Sequence, residues 1–293
     1  MFLTVSGQTD VGAVRKNNED ALAVVDLSTL EAVELSGSHQ LLEIGPRGLL
    51  AVVSDGMGGE KAGEVASALC IQAMHESLAA AGADTDAETR LHDAVAHAND
   101  RVRAAATEAE NKGMGATAIA ILLDGKHLWT AEVGDSRAYV FRDGKLEQLS
   151  KDQTYIQLLI ERGVPDPSVL GASSAKNVIL QAVGKLPELV IAQTKLSLRR
   201  GDVLLLCSDG LHGLVPDEEI EAVLASNLEE AVPLLIALAI ERGGKDNVTV
   251  LLTAMADESL PAPSSEETVA ATREVVRPFS FAPGPARKAQ AVT

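Results

Sequence analysis

The sequence predicts an α+β fold that combines antiparallel strands with pairs of helices. Apolar runs of five residues, at 49–53 and 203–207, have the length of strands buried on both faces. Two Asp-Gly pairs, Asp124-Gly125 and Asp143-Gly144, separate strand-like segments and are typical of tight hairpin turns. Longer segments repeat apolar residues at helical spacing instead. The hairpins indicate antiparallel sheets, but the order of the strands does not follow from these patterns.

Strands occupy the first part of the chain, and two helices follow them. The first strand is expected at a sheet edge, and residues 28–47 are interpreted as a surface hairpin or loop. The predicted strands are 3–8, 21–25 and 49–53, and the helices begin near Ala62 and at Asp86, with apolar faces made of Ala62, Val65, Ala66, Leu69 and Ala73 in the first and of Leu91, Ala94, Val95, Ala98, Val102 and Ala105 in the second.

The remaining chain continues this pattern up to residue 255. Residues 152–179 interrupt it and contain one helical stretch at 155–162. From Asp257 the chain is rich in Pro, Ala, Ser and Thr, so residues 256–293 are expected to be a disordered tail whose removal leaves the fold intact. The other predicted elements are hairpins at 114–133 and 137–149, strands at 203–207 and 248–252, and helices at 217–225 and 228–242, the last with Ala231, Leu234, Leu235, Leu238 and Ala239 facing inwards.

The composition excludes several classes of function. The net charge of −17 argues against a polyanion such as nucleic acid as the partner. The two cysteines, Cys70 and Cys207, lie far apart in apolar runs and are interpreted as reduced core residues. No apolar run approaches the roughly 18 residues of a membrane span. We therefore expect a cytoplasmic monomer that is not bound to a membrane.

Acidic residues flank several of the predicted strands. Asp55 and Asp209 each follow an apolar run within a Ser-Asp-Gly sequence, whereas Glu19-Asp20 and Asp246 come just before a strand. In an antiparallel pair, the end of one strand lies beside the start of its neighbour. Four acidic positions are therefore expected to converge on one sheet edge, with Asp135 as a fifth.

Such a cluster of carboxylates needs a counter-charge. Two unit charges about 4 Å apart repel by about 4 kcal/mol at an effective dielectric constant of 20. Bound divalent cations are the simplest remedy, and ligands that are all oxygen suit Mg²⁺, Mn²⁺ or Ca²⁺. The six histidines lie apart along the sequence, so the pattern does not indicate zinc.

These acidic residues belong to short motifs that occur in a fixed order. The motifs are Thr9-Asp10-Val11-Gly12, Arg15-Lys16-Asn17-Asn18-Glu19-Asp20, Asp55-Gly56-Met57-Gly58-Gly59, Gly115-Ala116-Thr117, Gly134-Asp135-Ser136-Arg137, Ser208-Asp209-Gly210 and Gly243-Gly244-Lys245-Asp246-Asn247. Over residues 1–255 the chain resembles the metal-dependent type 2C (PPM) family of Ser/Thr protein phosphatases. The resemblance implies an α-β-β-α sandwich, that is, two mostly antiparallel sheets flanked by helices.

The resemblance also implies a chemistry and a set of site residues. Two Mn²⁺ or Mg²⁺ ions would hold a bridging hydroxide that attacks phosphoserine or phosphothreonine on proteins, opposing a Ser/Thr kinase. Catalytic roles are implied for Arg15, Asp20 and Asp55, with Arg15 binding the substrate phosphate. The implied metal ligands are Glu19, Asp20, Asp55, Gly56, Asp135, Asp209 and Asp246. Among them, Asp135 and Asp209 would hold a third, weaker ion.

Two departures from the family pattern concern the substrate side. Met57 stands where many members have a histidine proposed as the acid, and a thioether has no proton to donate. By this resemblance, residues 152–179 correspond to the mobile flap beside the active site. In this flap, Ser173-Ser174-Ala175-Lys176 departs from the stretch that many members of the family carry.

Two other functions are compatible with parts of this sequence. A non-catalytic member of the family could bind a partner through the same fold, but it would not need the intact carboxylates. A nucleotide-binding protein could use Gly56, Gly58 and Gly59 as a phosphate loop, but Asp55 would repel a pyrophosphate unless a metal ion were bound.

Overall fold

Two antiparallel sheets pack face to face in the computed structural model, which describes residues 1–35, 37–58, 62–82, 84–108, 111–164, 178–264 and 268–280. The first sheet has the order β10-β9-β12-β13-β1-β4, and the second has the order β14-β11-β8-β7-β5-β2-β3 with β6 paired to β5. The strands are β1 (Phe2–Asp10), β2 (Asp20–Asp26), β3 (Glu31–Ala32), β4 (Gln40–Glu43), β5 (Leu49–Met57), β6 (Gly115–Ala116), β7 (Ala118–Asp124), β8 (His127–Val133), β9 (Arg137–Arg142), β10 (Lys145–Gln148), β11 (Ala192–Ser197), β12 (Val203–Cys207), β13 (Val248–Met255) and β14 (Arg273–Arg277).

Helices cover both outer faces of this pair of sheets. Alternate residues of β5 show the layering, because Ala51 and Val53 pack between the sheets whereas Leu50 and Val52 pack under α1 and α2. The pair α5 and α6 covers the first sheet. This arrangement confirms the α-β-β-α sandwich. The helices are α1 (Ala62–Ala80), α2 (Ala87–Ala105), α3 (Tyr155–Glu161), α4 (Asp209–His212), α5 (Asp217–Ser226), α6 (Ala231–Glu241) and α7 (Val269–Thr272).

The prediction of an edge strand at the N-terminus is wrong. β1 pairs with β13 on one side and with β4 on the other, so it lies inside the first sheet. The segment 28–47 is not a hairpin either, because β3 pairs with β2 in the second sheet while β4 pairs with β1 in the first. Short polar strands of this kind carry no strong sequence pattern, since their pairing uses main-chain groups.

The helices agree with the sequence pattern apart from a few side chains. Asp86, where the second helix was predicted to begin, is the N-cap of α2 and accepts a hydrogen bond from the backbone N–H of Thr89 at 2.9 Å. Val65 and Leu234, however, are each 40% exposed although they were expected to face inwards. Small changes in helix phase explain this, since residues outside the predicted stripes, such as Cys70 and Ile236, are buried instead.

One of the two expected hairpin turns is shifted by one residue. Asp124 pairs with His127, so the turn is formed by Gly125-Lys126 rather than by Asp124-Gly125. Asp143 and Gly144 form the second turn as expected, both with positive φ, at 51° and 77°.

The expected disordered tail is wrong for much of its length. β14 pairs with β11 at the edge of the second sheet, and Leu260 and Val269 are buried. Arg273 donates to the carbonyl oxygens of Gln148 and Leu149, which ties β14 to the first sheet. The segment has too few apolar residues to show a period, and it gains order by adding to an open sheet edge.

Truncation of the chain therefore has an expected cost that depends on where it is made. Ending the chain after Met255 should lower the melting temperature by roughly 6–24 °C, since burial of Leu260 and Val269 contributes about 1.5–3 kcal/mol each. Ending it after Ser280 is the control, because these contacts are retained. Differential scanning calorimetry distinguishes the two, and equal melting temperatures would show that β14 does not stabilise the domain.

No helix in the described part of the chain is long and apolar enough to cross a membrane.

Candidate metal centre

The predicted carboxylates meet at one end of the sandwich, between the two sheets. In the second sheet, Asp20 lies directly opposite Asp55. In the first sheet, Asp209 begins α4 just after β12, and Asp246 precedes the neighbouring strand β13. The expectation of a single sheet edge is therefore wrong, because each sheet contributes one adjacent pair of antiparallel strands.

A cavity of about 580 Å³ opens at this end of the sandwich. Of the eight predicted site residues, only Asp20 does not line it, since this side chain lies buried behind the wall. The other seven are Arg15, Glu19, Asp55, Gly56, Asp135, Asp209 and Asp246. The cavity wall also contains Met57 and Ile179, the latter at the end of the predicted flap.

The predicted flap is described only near its two ends. Its helical prediction at 155–162 is confirmed by α3, and a β-bridge between Thr154 and Ile179 joins the two ends. The unusual sequence at 173–176 lies outside the described residues, as does Gly59 in the motif after β5.

Asp20 links the two sheets behind the cavity. Its Oδ2 atom accepts hydrogen bonds from the hydroxyl groups of Ser208 and Thr249, each at 2.7 Å. Its Oδ1 atom is buried and has no hydrogen-bond partner among the described residues. Ser208 and Thr249 were not predicted as site residues, because a hydroxyl beside an apolar run has no distinctive pattern.

The Asp55 backbone is held by a second hydroxyl network. Its N–H donates to Oγ1 of Thr117 at 2.9 Å, and that atom is 2.7 Å from Oγ of Ser136. The N–H of Gly56 donates to the carbonyl oxygen of Glu19 at 3.1 Å. A Cβ atom on Gly56 would lie 2.0 Å from the carbonyl oxygen of Gly63, so only glycine fits there.

Arg15 lies on the cavity wall, next to Asp246. Its Nη2 atom donates to Oδ2 of Asp246 at 2.7 Å, and its side chain is 49% exposed. Burial works to lower the pKa of Arg15, but the hydrogen bond to Asp246 and the negative charges of Glu19 and Asp55 raise it overall. The guanidinium therefore stays charged beside the carboxylates.

Asp135 is positioned by two residues that the sequence did not reveal. His212 donates from Nε2 to the Asp135 carbonyl oxygen at 3.0 Å. The buried side chain of Gln153 accepts from the N–H of Gly134 at 2.9 Å and donates to the Glu132 carbonyl oxygen at 3.0 Å. Both residues act on backbone atoms, and such roles have no signature in a single sequence.

The carboxylates of the site are partly desolvated and repel one another when no cation is bound. Burial, together with the charge of neighbouring carboxylates, raises the pKa of Asp20 to about 6, of Asp209 to about 6 and of Asp135 to about 7. The pKa of Asp55 is raised well above its ordinary value for the same reasons. The site therefore favours either protons or cations.

The residues present fit hard divalent cations. Oδ1 of Asp209, like Oδ1 of Asp20, is buried without a hydrogen-bond partner among the described residues. No three His, Cys, Asp or Glu side chains in the described ranges form a set that could hold an ion by themselves. Backbone carbonyl and water oxygens would have to complete the coordination, which is the usual arrangement for Mg²⁺.

The raised pKa values predict that metal ions stabilise the fold more strongly at high pH. The folded carboxylates hold protons that the unfolded chain releases above pH ~4, so the metal-free protein should lose stability as pH rises from 5 to 8. Mn²⁺ competes with these protons and should bind best at pH 8. We expect Mn²⁺ to raise the melting temperature by at least about 5 °C more at pH 8 than at pH 5. An equal rise at both values would contradict these pKa shifts.

Comparison with known proteins identifies the family. The family model described as protein phosphatase 2C matches residues 39–238, and the chain belongs to this family. The serine/threonine protein phosphatase PstP of Mycobacterium tuberculosis is 37% identical over 261 residues, which are 88% of this chain and 46% of the relative. This chain thus spans about half the length of that relative. The serine/threonine phosphatase stp of Listeria welshimeri is 32% identical over 84% of this chain and 93% of its own length.

Solved structures of relatives show the same fold. The crystal structure of Mycobacterium tuberculosis PstP/Ppp superimposes with a TM-score of 0.73 at 34% identity, covering 88% of this chain and all of that one. A structure of the PstP catalytic domain in complex with two manganese ions gives a TM-score of 0.70 at 33% identity, covering 88% of this chain and 100% of that one.

Proposed function

We propose that this chain is a metal-dependent protein phosphatase that hydrolyses phosphoserine and phosphothreonine on proteins. The observation that carries the proposal is the open cavity in which carboxylates from both sheets lie beside an arginine, one of them, Asp209, with an oxygen that has no hydrogen-bond partner among the described residues. The names of the similar proteins and the manganese ions in the PstP structure support it.

The proposed metal ligands divide between the two sheets. Asp55, the carbonyl oxygen of Gly56 and a water on the Glu19 side would hold one Mn²⁺ or Mg²⁺ ion. Asp55 would also help to hold a second ion with Asp209 and Asp246, and water oxygens would complete its coordination. When bound, the two ions supply an activated water and offset the charge of the phosphate. Asp20 acts from behind the wall, where Ser208 and Thr249 fix its position.

Arg15 is proposed to bind the substrate phosphate. A guanidinium has five N–H donors, and among the described residues Arg15 donates one hydrogen bond, to Asp246. Its half-exposed position on the cavity wall leaves the other donors accessible to phosphate oxygens.

Asp135 is proposed to help hold a third, weaker ion with Asp209. Met57 lines the cavity but has no proton to give to the leaving oxygen of serine or threonine. Another donor, on the Asp135 side of the cavity, must therefore supply this proton. Asp135→Ala should keep two tight ions by calorimetry and lose turnover mainly on phosphopeptides. The loss should be smaller on p-nitrophenyl phosphate, whose leaving group departs without a proton. Equal losses on both substrates would contradict this role.

The proposed substrates imply a Ser/Thr kinase that produces them. We propose that the chain acts as a monomer. The proposed catalytic unit comprises residues 1–255 together with β14, which completes the edge of the second sheet.

Phosphopeptide hydrolysis by the metal-stripped protein tests the proposed activity. We expect no phosphate release until Mn²⁺ or Mg²⁺ is added, and then release from phosphoserine and phosphothreonine peptides that EDTA abolishes. Asp143→Asn, at a hairpin turn outside the site, is a control that should behave as wild type. Turnover that survives exhaustive chelation, or none with any metal, would overturn the proposal.

A further inference from the structure

The connection between β1 and β2, residues 11–19, carries both Arg15 and Glu19 and has no regular secondary structure. It lies directly on the loop that precedes β13. The backbone N–H groups of Ala13 and Val14 both donate to the carbonyl oxygen of Gly244, at 2.8 and 3.2 Å. Gly12 is so close to this loop that a Cβ atom would lie 2.2 Å from the Asp246 carbonyl oxygen. The position of Arg15 therefore depends on the contact between two loops.

A single buried amide fastens these two loops together. The Asn247 side chain donates from Nδ2 to the carbonyl oxygens of Val11 and Asn17, each at 3.0 Å. Its Oδ1 atom accepts from the N–H of Glu19 at 2.8 Å. Asn247 is only 4% exposed, so these bonds do not compete with bulk water.

The three backbone groups that bind the Asn247 side chain lie on both sides of Arg15 in the sequence. Val11 precedes Arg15, whereas Asn17 and Glu19 follow it, so the amide fixes the connection on both sides of the guanidinium. Without these anchors, a bound phosphate would have to order the connection itself, and the entropic cost would reduce its affinity.

We propose that Asn247 is a positioning residue for phosphate binding, because it holds the connection that presents Arg15 to the cavity. This inference rests on the proposed phosphatase function and extends it to a residue that lies behind the cavity wall. Asn247 touches neither the substrate nor a metal ion in this account. It acts through the position of Arg15.

The chain offers a matched control for the loss of a buried amide. Asn99 on α2 is 3% exposed, donates to the carbonyl oxygen of Leu186 at 2.9 Å and accepts from the N–H of Gly184 at 2.8 Å. None of these three residues lines the cavity. Asn99→Ala and Asn247→Ala should cost similar stability, and only the second should affect phosphate.

Calorimetric titration of inorganic phosphate into the Mn²⁺-loaded protein tests this expectation. Asn247→Ala should weaken phosphate binding about tenfold, whereas Asn99→Ala should bind as wild type. In an Arg15→Ala background, Asn247→Ala should have little further effect, because the residue acts through the arginine. Asn247→Ser replaces the alanine variant if that protein does not fold. Wild-type affinity in the Asn247 variant, or equal weakening in the Asn99 variant, would overturn the inference.

Hydrogen exchange of the metal-free protein gives a reading that does not depend on phosphatase activity. Amides of residues 12–19 should exchange at least about tenfold faster in Asn247→Ala than in wild type. In Asn99→Ala they should exchange at the wild-type rate. Unchanged exchange in the Asn247 variant would overturn the positioning role even if the protein is a phosphatase. A wild-type protein that binds no phosphate would instead overturn the proposed function.

Discussion

Asp55→Asn should reduce turnover of phosphopeptides at least about thousandfold, which corresponds to about 4 kcal/mol in the activation barrier. Asp55 lies near the end of β5 on the cavity wall, directly opposite Asp20 of β2, and the same cavity is lined by Asp209 and Asp246 of the first sheet. Asparagine has nearly the same shape, but it provides a single neutral oxygen where the proposed pair of ions needs a bridging carboxylate. Steady-state kinetics with saturating Mn²⁺ measures the loss.

The same variant should not be less stable than wild type when metal is absent. The pKa of Asp55 is raised by burial and by the charges of Asp20, Asp209 and Asp135, so removal of its charge relieves repulsion. The metal-free variant should therefore melt no lower than wild type at pH 8, yet gain little from added Mn²⁺. Asp143→Asn makes the same Asp-to-Asn change at a hairpin turn outside the site, so this control should behave as wild type. A variant that keeps more than about a tenth of wild-type kcat would contradict a bridging role.

Arg15→Ala should reduce kcat/KM by about 10- to 150-fold, the effect expected when a charged hydrogen bond worth about 1.5–3 kcal/mol is lost. Most of the loss should be in KM and in the affinity for inorganic phosphate, because the arginine is proposed to bind the phosphate group. Affinity for Mn²⁺ should not fall, since the side chain that pairs with Asp246 is removed and that carboxylate becomes more available to a cation.

Two further variants separate the phosphate contact from a general effect of charge. Arg15→Lys keeps the positive charge but cannot form a two-point contact with phosphate oxygens, so it should restore only part of the activity. Arg101→Ala removes a different exposed arginine, which pairs with Glu76 on the outer helices, and should leave kinetics unchanged. Wild-type kcat/KM in Arg15→Ala would contradict its role.

Regular elements with a strong pattern could be predicted from the sequence. The stripe from Leu91 to Val102 defined α2, and the apolar run before Asp55 defined β5, because burial imposes a period or an unbroken run on such segments. Two edge strands, β4 and β14, escaped prediction. β4 and β14 pair through main-chain groups at the margins of the sheets, so their side chains are only weakly constrained.

The charged residues of the candidate site could be predicted from the sequence, but the residues that hold them in position could not. All seven acidic or basic side chains named from the sequence converge at one end of the sandwich, but their division between two sheets depends on strand order. Ser208, Thr249, His212 and Asn247 orient the site through a few hydrogen bonds each. One such bond leaves no spacing or period in a sequence.

A crystal structure with Mn²⁺, with ions located by anomalous scattering, tests the central claim most directly. The claim is that carboxylates from the two sheets together form a metal centre. We predict two strong peaks in the cavity, each contacted by Asp55, with Asp209 and Asp246 on one of them. Peaks elsewhere, or a cavity without peaks at a saturating Mn²⁺ concentration, would contradict it.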